Sequence, residues 1–96
     1  MNKKEKILRA CLACAEKHGF NNMTRQQIAE LAKVPESLVS YYLGSMENTR
    51  SVAMLEAIQK ENLNVLSQGL AFSHPVANKA PLHLKVRVSH KVVGDV

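Results

Sequence analysis

TRQQIAELAKVPESLVSYYL, residues 24–43, reads as two short helices joined by a tight break. Thr24-Arg25-Gln26-Gln27 fits a capping box, in which the threonine hydroxyl accepts the amide of the third helical residue and Gln27 reaches back. Ile28, Ala29, Leu31 and Ala32 follow as a buried face, and the pattern stops near Lys33. Val34-Pro35 supplies the break, because proline disfavours helix in the residue before it and suits the first turn of a new one. From Pro35 to Leu43 the spacing divides cleanly. Leu38, Val39, Tyr42 and Leu43 share an apolar side, while Glu36, Ser37, Ser40, Tyr41 and Gly44 share the other. Two such helices, the second with a face of small hydrogen-bonding groups, have the form of a helix-turn-helix. That device lays its second helix in the major groove of DNA.

Outward from this segment the pattern stays helical. From Lys3 to His18, the positions Ile7, Leu8, Cys11, Cys14, Ala15 and His18 recur at three- and four-residue steps, the mark of an amphipathic helix. Gly19 stops it, Phe20 plugs the core, and Asn21-Asn22 carry the turn. Gly44 ends the third helix, and Ser45 caps a fourth with Glu47 near its positive end. The fourth helix is expected to run to about Leu66 on a stripe of Val52, Leu55, Ile58, Val65 and Leu66. Residues 67–81, SQGLAFSHPVANKAP, read as a linker because of their Gly, Pro, Ser and Asn. In LHLKVRV, residues 82–88, apolar and polar residues alternate, which predicts a short strand that pairs with something, such as its twin in a second subunit. The expected fold is therefore mainly α. It has a three-helix head with its fourth helix over 1–66, a linker over 67–81, and a basic tail with a strand over 82–96.

The chain has 96 residues, enough for one domain with a modest core. It is 46% hydrophobic but 4% aromatic, so that core must be aliphatic, which suits small helices better than aromatic-rich strands. The formal net charge of +5 makes a polyanion the natural counterpart. No apolar run approaches the roughly 18–20 residues needed to cross a bilayer. The start, MNKKEKILRACLACAEKHGF, superficially suggests a secretion signal, but Arg9, Glu16 and Lys17 interrupt the apolar stretch as a helical face requires. The cytoplasm is the expected compartment.

Residues 4–58 resemble the N-terminal DNA-binding domain of the TetR family of bacterial transcriptional repressors. The likeness runs through ILRAC and HGF within 7–20, MTRQQIAELAKV at 23–34 and SLVSYYLGSMEN at 37–48. LVSYYLGSME is close to the family's frequent "LVNYHFGSKE" form. The resemblance implies a three-helix DNA-binding head linked by the fourth helix to a helical body that binds an effector and dimerises. About 30 residues follow the fourth helix here, so effector binding is not expected of this chain. Four positions depart from the pattern: Lys33 stands for a usual Gly, Leu43 for Phe, Tyr42 for His and Met46 for a Lys that faces a phosphate. Losing that last charge is expected to lower the salt slope of DNA binding by about one unit.

The expected DNA contacts follow from residue chemistry. Glu36, Ser37, Ser40 and Tyr41 project into the groove, where serine donates to or accepts from a base edge and Glu36 accepts from a cytosine amino group. Arg25 with Gln26 or Gln27 reaches the groove edge or a phosphate. Thr24, Ser45, Tyr42 and Lys33 serve the backbone, with Lys3, Lys4 and Lys6 adding attraction along the flank. The competing reading of this face is a merely solvated helix surface.

Cys11, Cys14 and His18 place three potential metal ligands on one side of the first helix. A structural zinc site needs four ligands and a redox pair favours a helix N-terminus, so core packing is the better account and no metal or cofactor is expected. His74, His83 and His90 have no partner acid or nucleophile at a recognisable spacing, so catalysis is not expected. The leading expectation is a sequence-specific DNA-binding regulator, a repressor by its resemblance. It would act as a homodimer through its tail strand or the exposed apolar residues of the fourth helix. The alternative is a small protein-interaction module that uses the same head, or its tail, to bind another regulator. Either suits a bacterial or phage-encoded chain.

Overall fold

Capping chemistry sets where the helices begin. In the computed structural model, which describes residues 2–94, α1 spans Lys3–His18 and starts at Asn2, whose side-chain oxygen accepts the Glu5 amide at 2.8 Å. Gly19, at φ 96°, ends it, and a 3₁₀ turn over Phe20–Asn22 follows. α2, Arg25–Ala32, begins with the full capping box: Thr24 Oγ1 accepts the Gln27 amide at 3.2 Å, and Gln27 Oε1 accepts the Thr24 amide at 3.0 Å. α3 is Glu36–Leu43, and α4, Met46–Gln59, is capped by Ser45 Oγ on the Asn48 amide. α5, Leu63–Ala71, is capped by Asn62; α6 is the short Pro75–Asn78; α7 is Leu82–Gly94. These seven α-helices, with no strand among the described residues, make the protein mainly α.

α1 lies at the centre, against α2, α4 and α5, while α5 in turn carries α6 and α7. Ile7, Cys11, Cys14, Phe20, Ile28, Val39, Met54, Leu66 and Leu84 fill the interior, with Phe20 its only aromatic ring. Thr49, the one buried polar residue among the described residues, donates its hydroxyl to the Ser45 carbonyl at 2.8 Å.

Four expectations about the second half of the chain are overturned. The alternating stretch 82–88 is not a strand but the first half of α7: Leu84 and Val88, one helical turn apart, are buried, whereas Leu82 is 75% exposed and Val86 43%. A strand would have put all four on one face. The tail's last two residues lie outside the described range. Residues 67–81 are not a linker, since α5 and α6 occupy most of them and Gly69, Ala77 and Ala80 are buried. Small residues there mark close packing: a Cβ on Gly69 would stand 2.9 Å from that of Ala77 and press on the Met54 thioether. The fourth helix ends at Gln59, not Leu66, because Glu61 turns left-handed at φ 54° and Asn62 caps a new helix on the Val65 amide at 3.1 Å. Its phase also differs from the expected stripe. Ala53, Met54 and Ala57 face inward, and Leu55 is exposed.

Candidate nucleic-acid interface

α3 is anchored by Val39 and Leu43, both buried, with Leu38 half-buried beside them. That anchoring turns Glu36, Ser37, Ser40 and Tyr41 to solvent, and Tyr41 is 80% exposed. Tyr42, expected on the apolar side, sits at its edge: it is 38% exposed, and its ring meets that of Tyr41 edge-on at 5.2 Å. None of the side-chain oxygens of Glu36, Ser37, Ser40 and Tyr41 has a hydrogen-bond partner among the described residues, so all are free for a ligand. Glu36 lies in the first turn of α3, where the helix dipole favours its carboxylate.

The N-terminal turn of α2 contributes differently. Arg25 Nη2 donates to the Gly44 carbonyl at 3.1 Å, which ties the start of α2 to the turn between α3 and α4. Its Nε is shielded from solvent and has no hydrogen-bond partner among the described residues. Gln27, expected as a contact to DNA, spends its side-chain oxygen on the fold, accepting the Thr24 amide and, at 3.5 Å, the Cys14 thiol. Gln26 is exposed and donates to Glu30 Oε1 at 3.4 Å. The Thr24 and Ser45 hydroxyls each accept a capping amide and keep their own protons for a further acceptor.

Lys33 is the C-cap of α2, exposed and left-handed at φ 59° and ψ 46°. Its amide donates back to the Ala29 and Glu30 carbonyls, and the Val34 amide closes the turn on the Ala29 carbonyl at 3.1 Å. This backbone sets Lys33 between α2 and α3. Asn48, which sequence reasoning missed, donates through Nδ2 to the Leu43 carbonyl at 2.6 Å and thereby fixes the end of α3 against α4. Its place three residues after the Ser45 cap was the available signal.

Cys11 and Cys14 are both buried in α1. Burial, helped by the neighbouring Cys14 and by Glu56, pushes the Cys11 thiol up to about 12, and burial also raises Cys14. Both are therefore neutral thiols packed in the interior. Among the described residues no helix is long and apolar enough to cross a membrane. No family model, no curated protein and no solved structure matches the chain.

Proposed function

We propose that this chain is a sequence-specific DNA-binding regulator of transcription, a TetR-like head that acts as a homodimeric repressor in the cytoplasm of a bacterial or phage-infected cell. The observation that carries the reading is the exposed, unpartnered face of Glu36, Ser37, Ser40 and Tyr41 on a helix anchored from behind. In this reading α3 lies in the major groove. Ser37 and Ser40 meet base edges, Glu36 accepts from a cytosine amine, and Tyr41 lies against the groove wall. Thr24, Tyr42 and Ser45 donate to phosphates, with Lys33 and Arg25 supplying charge. The net charge of +5 supports attraction to the polyanion.

One head offers few contacts, so two heads reading half-sites about one helical turn apart supply the specificity. Exposed apolar residues on the outer side of α7, Leu82 and Val86, and Leu55 on α4, are the surfaces available for pairing. Light scattering at tens of micromolar checks the dimer, and a monomer refutes it.

Fluorescence anisotropy with duplex DNA tests the main reading. Two cations per head, four per dimer, predict a slope of log affinity against log salt near about −3.6, an affinity loss of about 150-fold between about 50 and about 200 mM salt. Selection from a random duplex library should enrich a palindrome. An absence of binding at low salt overturns the proposal. The Arg25→Ala and Tyr42→Ala variants should each weaken binding, and unchanged affinity removes those two roles.

A further inference from the structure

A groove of about 450 Å³, lined by no residue of α3, lies open between α1 and the C-terminal end of α2. Lys6, Arg9, Ala10 and Ala13 line it from α1 at i, i+3, i+4 and i+7, a single stripe about 10 Å long on two helical turns. Leu31, Ala32 and Lys33 close it from α2. Leu31, expected in the core, is instead 38% exposed on this wall.

The chemistry of the lining is divided. Its floor is wholly aliphatic, and three alanines let a second backbone approach closely. Its rim carries Lys6, Arg9 and Lys33, all exposed, and none of their side chains makes an ion pair or hydrogen bond among the described residues. Among the described residues no acid and no hydroxyl or amide side chain lines the groove. A sugar-phosphate backbone would satisfy the cations but set charged oxygens over the aliphatic floor. The complementary occupant is apolar along its centre and acidic along its sides.

We propose that this groove seats an acidic amphipathic helix from a protein partner. Its leucine-like residues, three and four apart, rest over Ala13 and beside Leu31, and its flanking carboxylates meet Lys6, Arg9 and Lys33. Lys33 also belongs to the proposed DNA face, so a seated helix draws that cation away and competes with DNA. The competition rests on the DNA-binding reading, whereas the docking does not.

The test titrates the isotope-labelled full chain, without DNA, with a synthetic peptide of about 15 residues, the length at which an isolated helix becomes marginally stable. The peptide carries leucines at helical three- and four-residue spacing with glutamates between them. Amide shifts should centre on Ala10, Ala13, Leu31 and Lys33. Arg9→Glu and Ala13→Trp, both at exposed positions outside the proposed DNA contacts, should each weaken binding about tenfold while circular dichroism stays unchanged. Arg9→Glu should in turn prefer the same peptide with lysines in place of glutamates.

Four results overturn the proposal. The first is an absence of groove shifts at millimolar peptide. The second is equal binding by a scrambled peptide without the leucine stripe, which reports mere charge attraction. The third is an equal response of the Ala10, Ala13 and Leu31 amides to duplex DNA, which makes the groove a phosphate surface. The fourth is an equal response to dodecanoate, which makes it a site for a small amphiphile.

Discussion

Lys33 separates backbone strain from charge, and replacing it with glycine and with alanine measures each. Its φ of 59° and ψ of 46° lie at the centre of the left-handed well, where a residue with a Cβ costs about 1–2 kcal/mol and glycine almost nothing. Glycine also loosens the unfolded chain, which offsets about 0.4–1 kcal/mol of the relief. Lys33→Gly should therefore gain about 0.5–1 kcal/mol. For a chain of this size that raises Tm by about 2–8 °C in a circular-dichroism melt. Lys33→Ala keeps the strain and should stay within about 0.5 kcal/mol of the parent, as exposed substitutions do. Both variants remove the same cation. If Lys33 faces DNA in each half of a dimer, both should flatten the salt slope by about 1.8, and by the same amount. A glycine variant that melts at or below the alanine variant refutes the strain argument. An unchanged slope in both takes Lys33 out of the interface while leaving the strain argument intact.

Leu84→Ala should cost about 2–5 kcal/mol in urea unfolding because Leu84 is 2% exposed, whereas Leu82→Ala should cost under about 0.5 kcal/mol; equal losses would restore the strand. Gly69→Ala should lose about 1–3 kcal/mol to crowding against Ala77 and Met54, less about 1 kcal/mol of helix propensity, and adding Ala77→Gly should recover part of the loss; a Gly69→Ala protein that melts higher than its parent would contradict this packing. Burial holds the His74 imidazole below its ordinary 6.5, with Arg50 lowering it further and Glu47 pulling the other way. The folded state therefore disfavours the proton: full stability holds above about pH 6.5 and declines as pH falls below it, the more so as Nδ1 must give up the Val76 amide it accepts. Melting curves from pH 7.5 to pH 5 should show a larger decline for the parent than for His74→Asn, and equal declines would exclude His74 as the source. Both thiols should resist a disulfide reagent until the protein unfolds, given the burial of Cys11 and Cys14; rapid labelling of the native chain would refute that.

The helix boundaries up to Ser45 were legible because their stops and caps are chemically explicit. Gly19, the Thr24–Gln27 box, Pro35, Gly44 and Ser45 each act within three or four residues of their own position, so local sequence is enough to place them. What followed was misread where small residues carry the packing. α4 packs against α1, α5 and α6, and it buries the small Ala53 and Ala57 completely. A reading that weights large aliphatics picks Val52, Leu55 and Ile58 and so rotates the helix. Gly69, Ala77 and Ala80 failed the same way, read as part of a linker when they are buried points of contact. In 82–88 the alternation was real, but Leu84 with Val88 and Leu82 with Val86 also satisfy a four-residue step. Seven residues do not separate the two periods, and burial against α5 decides between them.

The candidate site shows a different limit of sequence. A polar side chain near a helix start carries the same signal whether it holds the fold or meets a ligand, and only the hydrogen-bond partners divide the two. Gln27 falls on the side of the fold, since its oxygen serves the Thr24 amide and the Cys14 thiol. Arg25 is shared, with one nitrogen on the Gly44 carbonyl and Nε unpartnered. The side chains of Ser37, Ser40, Tyr41 and Lys33 have no hydrogen-bond partner among the described residues, and all four are exposed. If the DNA reading holds, alanine substitutions in that last group should change affinity with little change in Tm. Arg25→Ala should change both, because it also releases the α3–α4 turn. Arg25 is thus the position at which a binding defect alone is not diagnostic. The ratio of affinity loss to stability loss, compared with that of Ser40→Ala, separates contact from support.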